Sequence, residues 1–81
     1  MRMTTVTITE CGGNHRTWTS RHRTTDERTA RRRAIRKVWG QRAGFWQDSG
    51  LPYGYGQIIE PGGQNSSRCL TGRVWISIEE A

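Results

Sequence analysis

The stretch Thr24–Gly40, TTDERTARRRAIRKVWG, decides the fold of this chain because it has the pattern of one amphipathic helix. Thr24 and Glu27 match a capping box, in which a threonine oxygen and a glutamate carboxylate bind amides at the helix start. Asp26 and Glu27 also place negative charge at the positive end of the helix dipole. Gly40 can end the helix in a left-handed conformation. We therefore predict a helix between Thr24 and Gly40.

This helix has an apolar arc and a cationic arc on opposite sides when successive residues are placed about 100° apart. Arg31 projects near the middle of the apolar arc, and Glu27 one turn earlier predicts a salt bridge between the two side chains. The apolar arc consists of Ala30, Ala34, Ile35, Val38 and Trp39. The cationic arc consists of Arg32, Arg33, Arg36 and Lys37, with Arg28 at its border.

The segments on both sides of the helix have the alternation and β-branched content of strands. Two glycine-containing turns, 11–14 and 61–67, divide them into hairpins. Glycines inside the segment 53–60 indicate a bulge or a close approach by another backbone. In the last strand, Leu70, Val74, Ile76 and Ile78 should face the helix. The predicted strands cover residues 4–10, 15–23, 53–60 and 68–79.

The order of these elements is β-β-α-β-β, which predicts a single α+β domain over residues 1–81. The simplest arrangement of these elements is a four-stranded antiparallel sheet with one amphipathic helix packed on one face. Residues 41–52 are predicted to form a connection whose Phe45 and Trp46 lie over the core.

The composition is strongly basic, with 13 Lys and Arg against 7 Asp and Glu and a formal net charge of +6. This excess favours polyanionic partners such as nucleic acid, or acidic protein surfaces. An arginine-rich genome and a solvated basic face would explain the same composition. No apolar run approaches the roughly 20 residues that cross a membrane, and no signal peptide opens the chain. We therefore expect a cytoplasmic protein with no membrane partner.

No pattern in the sequence predicts catalysis, a metal or a cofactor. Cys11, His15, His22 and Cys69 lack the close ligand pairs of structural zinc sites. Nothing supplies the oriented third partner or the oxyanion hole that a cysteine nucleophile requires. Two free thiols are expected in a reducing compartment, although a disulfide between Cys11 and Cys69 is geometrically conceivable. We predict no catalytic residue, no metal ligand and no cofactor.

The predicted binding residues are therefore basic and aromatic. Arginine binds phosphate through two parallel hydrogen bonds, and aromatic rings can stack on unpaired bases. Each aromatic ring has core or hairpin packing as its ordinary alternative. The basic set comprises Arg28, Arg32, Arg33, Arg36 and Lys37 of the helix, with Arg16, Arg21 and Arg23 beside the second strand. The stacking set comprises Trp46, Tyr53, Tyr55 and Trp75.

The layout resembles that of small accessory proteins of phages and mobile elements, including some anti-CRISPR proteins. The resemblance is carried by TTVTITECGGNHRTWTS at residues 4–20, the capped helix TTDERTARRRAIRKVWG and the final hairpin. It implies a non-enzymatic protein that binds a nucleic-acid-handling machine of a bacterial host and blocks it. The basic helix departs from acidic anti-CRISPR proteins that imitate DNA, which argues against DNA mimicry.

Three hypotheses follow for the function. The first is a cytoplasmic, non-catalytic module that binds nucleic acid or a nucleoprotein complex through the helix face. The second is a phage-borne inhibitor that applies the same face to an acidic protein surface of a host defence machine. The third is a structural or accessory phage protein that assembles through its edge strands. Sequence does not separate the first two, because arginine pairs with phosphate and carboxylate alike.

Overall fold

The fold is α+β, as predicted, but its antiparallel sheet has five strands rather than four. The structure is a computed structural model, and it describes residues 3–64 and 66–80. The elements are strands β1 (Thr4–Glu10) and β2 (Thr17–His22), helix α1 (Glu27–Trp39), and strands β3 (Gly44–Gln47), β4 (Tyr55–Pro61) and β5 (Ser67–Glu80).

The strand missed by the sequence analysis is β3, which lies within the predicted connection 41–52. It pairs antiparallel with β4, with Phe45 opposite Ile58 and Trp46 opposite Gln57. Phe45 packs against the core as expected. The prediction for Trp46 is wrong, because adjacent residues of a strand point to opposite faces and Trp46 is 49% exposed. A strand of only four residues gives almost no alternation to detect.

The strand order is β2-β1-β5-β4-β3, so the first and last strands of the chain lie in the middle of the sheet. Every neighbouring pair is antiparallel. The helix follows β2 at one edge and precedes β3 at the other, and it contacts β1, β2, β3 and β5. It therefore crosses one face of the sheet from edge to edge.

The helix begins at Glu27, and Asp26 is its N-cap residue, so the predicted capping box is wrong. The Thr24 hydroxyl instead accepts the Asp26 amide at 3.1 Å, and the Thr29 hydroxyl donates to the Asp26 carboxylate. The helix ends before Gly40, where φ is 104° and ψ is 170°. The positive φ explains the glycine, but this ψ lies outside the predicted left-handed helical region.

The core forms where the apolar arc of α1 meets the sheet. Ala30 and Ala34 are one turn apart and fully covered, so their small side chains let the helix approach the strands. Val38 is 38% exposed, so its predicted place in the core is wrong. The other buried apolar residues are Val6, Ile8, Ile35, Ala43, Ile58, Val74 and Ile76. The partly buried residues packed against them are Trp18, Trp39, Phe45, Leu70 and Ile78. All four apolar residues of the last strand that were predicted to face the helix therefore belong to the core or pack against it.

Strand β4 shows the close approach by another backbone that its glycines indicated, whereas the register irregularity beside it has its extra residues in β5. A side chain at Gly56 would meet the Trp46 carbonyl oxygen, only 2.0 Å from an ideal Cβ, so two backbones approach closely there. The register also shifts, because Gln57 lies opposite Arg73 whereas Ile59 lies opposite Cys69. Between these pairs, the three β5 residues Leu70, Thr71 and Gly72 lie against the single β4 residue Ile58.

Candidate functional site

The cationic helix face, defined as Arg28, Arg32, Arg33, Arg36 and Lys37, is exposed to solvent along the length of α1. Arg32, Arg33, Arg36 and Lys37 line a shallow depression together with Gln41. Arg28, Arg32 and Arg36 follow at intervals of four residues, which places them in one row about 6 Å apart along the helix axis. The structure therefore brings together the five helix cations predicted from the sequence.

The carboxylates that form ion pairs lie elsewhere. In the part of the chain that the structure describes, Glu10 pairs with Arg16 at 2.9 Å and Glu60 pairs with Arg68 at 3.0 Å. Asp26 lies near Arg28 at the helix start, where the Thr29 hydroxyl bond is the main reason that the pKa of Asp26 is lowered. The rest of the cationic helix face has no carboxylate partner among residues 3–64 and 66–80.

The positive field of this face extends to strand β2. The pKa of His22 is lowered from its ordinary value of 6.5, first by burial and then by the charges of Lys37 and Arg33. The His22 Nε2 atom also lies 2.7 Å from the Ser20 hydroxyl. Burial is the larger cause, and the two helix cations add to it by opposing a further positive charge beside them.

Arg31 is part of a cleft between α1 and β3, which the sequence analysis missed. Its guanidinium lies 5.1 Å from the centre of the Phe45 ring and donates to the Tyr53 hydroxyl at 3.3 Å. The predicted salt bridge with Glu27 is therefore wrong. Strand β3 was not predicted from the sequence, and the contact of Phe45 with the helix depends on that strand. The cleft is lined by Arg28, Arg31, Arg32, Arg36, Ile35, Ala43, Gly44 and Phe45.

The second predicted basic group does not form one patch. Arg16 pairs with Glu10 and lies 5.3 Å from the centre of the Trp18 ring, on the helix side of the sheet. Arg21 belongs to the opposite face, because it alternates with Ser20 and His22 along β2. Arg23 is exposed in the connection to the helix. The side chains of this group are thus distributed over different parts of the surface.

The predicted stacking residues are also divided by the sheet. Gly56 and Val74 are buried beneath the helix, so their neighbours Tyr55 and Trp75 face the other way. These two residues are paired across the strands, and their rings stack at 6.1 Å with 24° between the planes. Trp46, Tyr55 and Trp75 therefore share the helix-free face and are called the aromatic sheet patch below. Tyr53 lies apart from them, beside Arg31.

The cysteines and histidines do not assemble into a site. Cys11 and Cys69 are exposed free thiols. Within residues 3–64 and 66–80, no group of three or more His, Cys, Asp or Glu side chains is arranged to hold a metal ion. His15 lies in the first turn with a φ of 52°, away from the strand that carries His22.

Comparisons with known proteins supply no further constraint on this surface. No family model, curated protein or solved structure matches the chain. Within the described residues, no helix has the length and apolar character that spanning a membrane requires. The function of the protein is therefore inferred from the cationic helix face and the aromatic sheet patch.

Proposed function

We propose that this protein is a non-enzymatic basic module that binds the phosphate backbone of nucleic acid through the cationic helix face. The observation that carries the proposal is the segregation of charge. The ion-paired carboxylates, Glu10 and Glu60, belong to the hairpins, whereas Arg32, Arg33, Arg36 and Lys37 remain without a carboxylate in the described chain. We place this activity in the cytoplasm of a bacterial host.

Arginine suits this role because its planar guanidinium binds two phosphate oxygens at once. The row of Arg28, Arg32 and Arg36 lies beside Arg33 and Lys37, so adjacent phosphates can be contacted from one rigid helix. If all five cations contact phosphates, the logarithm of affinity should fall with the logarithm of salt concentration with a slope of about −4.5 for duplex DNA. For a single strand the expected slope is about −3.5.

The test is an anisotropy titration of labelled DNA and RNA at two salt concentrations, about 50 and 200 mM. The variant R32Q/R36Q removes two charges from the cationic helix face. The control R42Q/R68Q removes the same net charge from positions outside it, where Arg42 donates to the Pro61 carbonyl and Arg68 pairs with Glu60. We expect R32Q/R36Q to weaken binding and to reduce the duplex slope by about 1.8, with little change in the control.

Two results would contradict the proposal. Equal losses in R32Q/R36Q and R42Q/R68Q would show that net charge alone matters. Absence of binding to DNA and RNA at low salt would exclude nucleic acid as the partner. In that case, co-purification with a host protein complex after nuclease treatment would favour the inhibitor hypothesis, in which the same arginines contact carboxylates.

A further inference from the structure

The helix-free face of the sheet exposes aromatic rings that core packing does not require. Trp46 is 49% exposed and Trp75 is 41% exposed, although a domain of 81 residues has few large apolar groups for its core. Tyr55 lies directly opposite Trp75 and stacks on it. Exposed apolar patches with a polar surround commonly mark an interaction site.

The side chain directly beside this aromatic sheet patch that carries a charge is Arg73, and hydroxyl side chains lie beyond it. Arg73 lies two residues before Trp75 on the same face and opposite Gln57. Two carboxylates lie at its margins: Asp48, which follows β3 and accepts the Gly50 amide at 3.0 Å, and Glu79, four residues after Trp75 and opposite Thr5. Toward β1 and β2 the same face carries the hydroxyl side chains of Thr5, Thr7, Thr9, Thr17, Thr19 and Ser77.

We infer that the aromatic sheet patch binds a single strand of nucleic acid, with unpaired bases stacked on Trp46, Tyr55 and Trp75. This inference rests on the proposed function and specifies its ligand as single-stranded. Flat rings can stack only on bases whose faces are free, and a duplex keeps those faces covered by its own neighbours. Arg73 supplies a cation for the phosphates between the stacked bases. Every base has such a face, so little sequence preference is expected.

A second copy of the chain fits this face less well. Each copy carries a formal net charge of +6, so two copies repel each other. The centre of a homodimer interface is usually apolar and depleted of charge. Here Arg73 lies beside the aromatic rings, and the strands toward β1 and β2 carry hydroxyl side chains with Arg21 and Glu79. The charge and the chemistry of the face therefore complement a polyanion with flat apolar bases.

The edge strand β3 joins this patch to the cationic helix face. Phe45 points into the arginine-lined cleft on the helix side, and the next residue, Trp46, points to the aromatic sheet patch. Because β3 is the last strand of the sheet, nothing in the described chain pairs with its outer edge. A flexible single strand can pass around this edge and contact both surfaces, whereas a stiff duplex can contact only one.

The test compares a single-stranded oligonucleotide of about 16 nucleotides with the duplex that it forms with its complement. The variant W75L removes a stacking ring, whereas W75F keeps an aromatic ring at the same position. W46L tests a second ring of the same face. We expect W75L and W46L each to weaken single-strand binding about 5- to 150-fold and to leave duplex binding and the salt slope unchanged. W75F should recover most of the lost affinity.

The outcomes separate this inference from the proposed function. Unchanged single-strand affinity in both W75L and W46L would overturn the inference. The result for R32Q/R36Q would still support or reject binding through the cationic helix face. Equal losses on single strand and duplex would also overturn it. A wild-type dimer that becomes monomeric in W75L, measured by sedimentation equilibrium, would assign the patch to self-association instead. Absence of all nucleic-acid binding would reject the proposed function and the inference together.

Discussion

Gly56→Ala should be the most disruptive single-methyl change in the sheet. An ideal Cβ at this position would lie 2.0 Å from the Trp46 carbonyl oxygen and 2.8 Å from the Phe45 Cζ atom. The ring of Phe45 can shift, but the carbonyl belongs to the backbone of β3, which is held by its pairing with β4. The methyl group can therefore be accommodated only if the two strands separate locally.

The expected cost follows from the energetics of overpacking. Extra methyl groups in well-packed sites cost about 1–3 kcal/mol, and a contact with backbone places this one at about 3 kcal/mol. A folded chain of this length has a total stability of about 4–12 kcal/mol. The melting temperature should fall by about 12–24 °C, since each kcal/mol corresponds to about 4–8 °C in a small domain.

Thermal and urea unfolding of three variants would check this reasoning. The control is Gly44→Ala in the paired strand β3, where an added Cβ meets no heavy atom within 4 Å. It should leave stability unchanged or raise it by about 0.4–1 kcal/mol. The double variant G56A/F45L removes the ring contact but keeps the carbonyl contact, so it should recover little. A G56A protein within about 0.5 kcal/mol of wild type, or full recovery in the double variant, would refute the argument.

Two further predictions concern the helix side of the sheet. The pKa of His22 in the folded protein is lowered below 6.5, so folding stability should decrease as the pH falls from 6.5 through the lower folded pKa. In the variant R33Q/K37Q, NMR titration should show the pKa of His22 rising toward 6.5, because two of the charges that lower it are removed. An unchanged pKa would mean that these cations do not act on the imidazole. Trp39→Ala should destabilise the fold by about 3 kcal/mol in urea denaturation, because Trp39 packs on the core and its ring lies 4.9 Å from that of Trp18. A loss below about 1 kcal/mol would contradict this packing.

The reliable sequence signals were those whose period is repeated several times. The helix pattern spans more than three turns, so the exposure of Arg32, Arg33, Arg36 and Lys37 and the burial of Ala30, Ala34 and Ile35 could be predicted. Strand β1 has the predicted bounds, Thr4–Glu10, because its alternation continues over seven residues. The signals were weak at the helix start, where Thr24 and Asp26 are both good capping residues and only the backbone path selects Asp26.

The sequence by itself determined the α+β class, the amphipathic helix and the sign of its outer face, because these follow from local periodicity and composition. Only the tertiary structure decided that 44–47 is a strand, since four residues become a strand by pairing with β4 rather than by their own pattern. That pairing also decided which aromatic rings lie together. Trp46, Tyr55 and Trp75 are far apart in sequence and meet on one face because β3, β4 and β5 are neighbours in the sheet. Arg31 joins the cleft for the same physical reason, because β3 brings Phe45 to the helix.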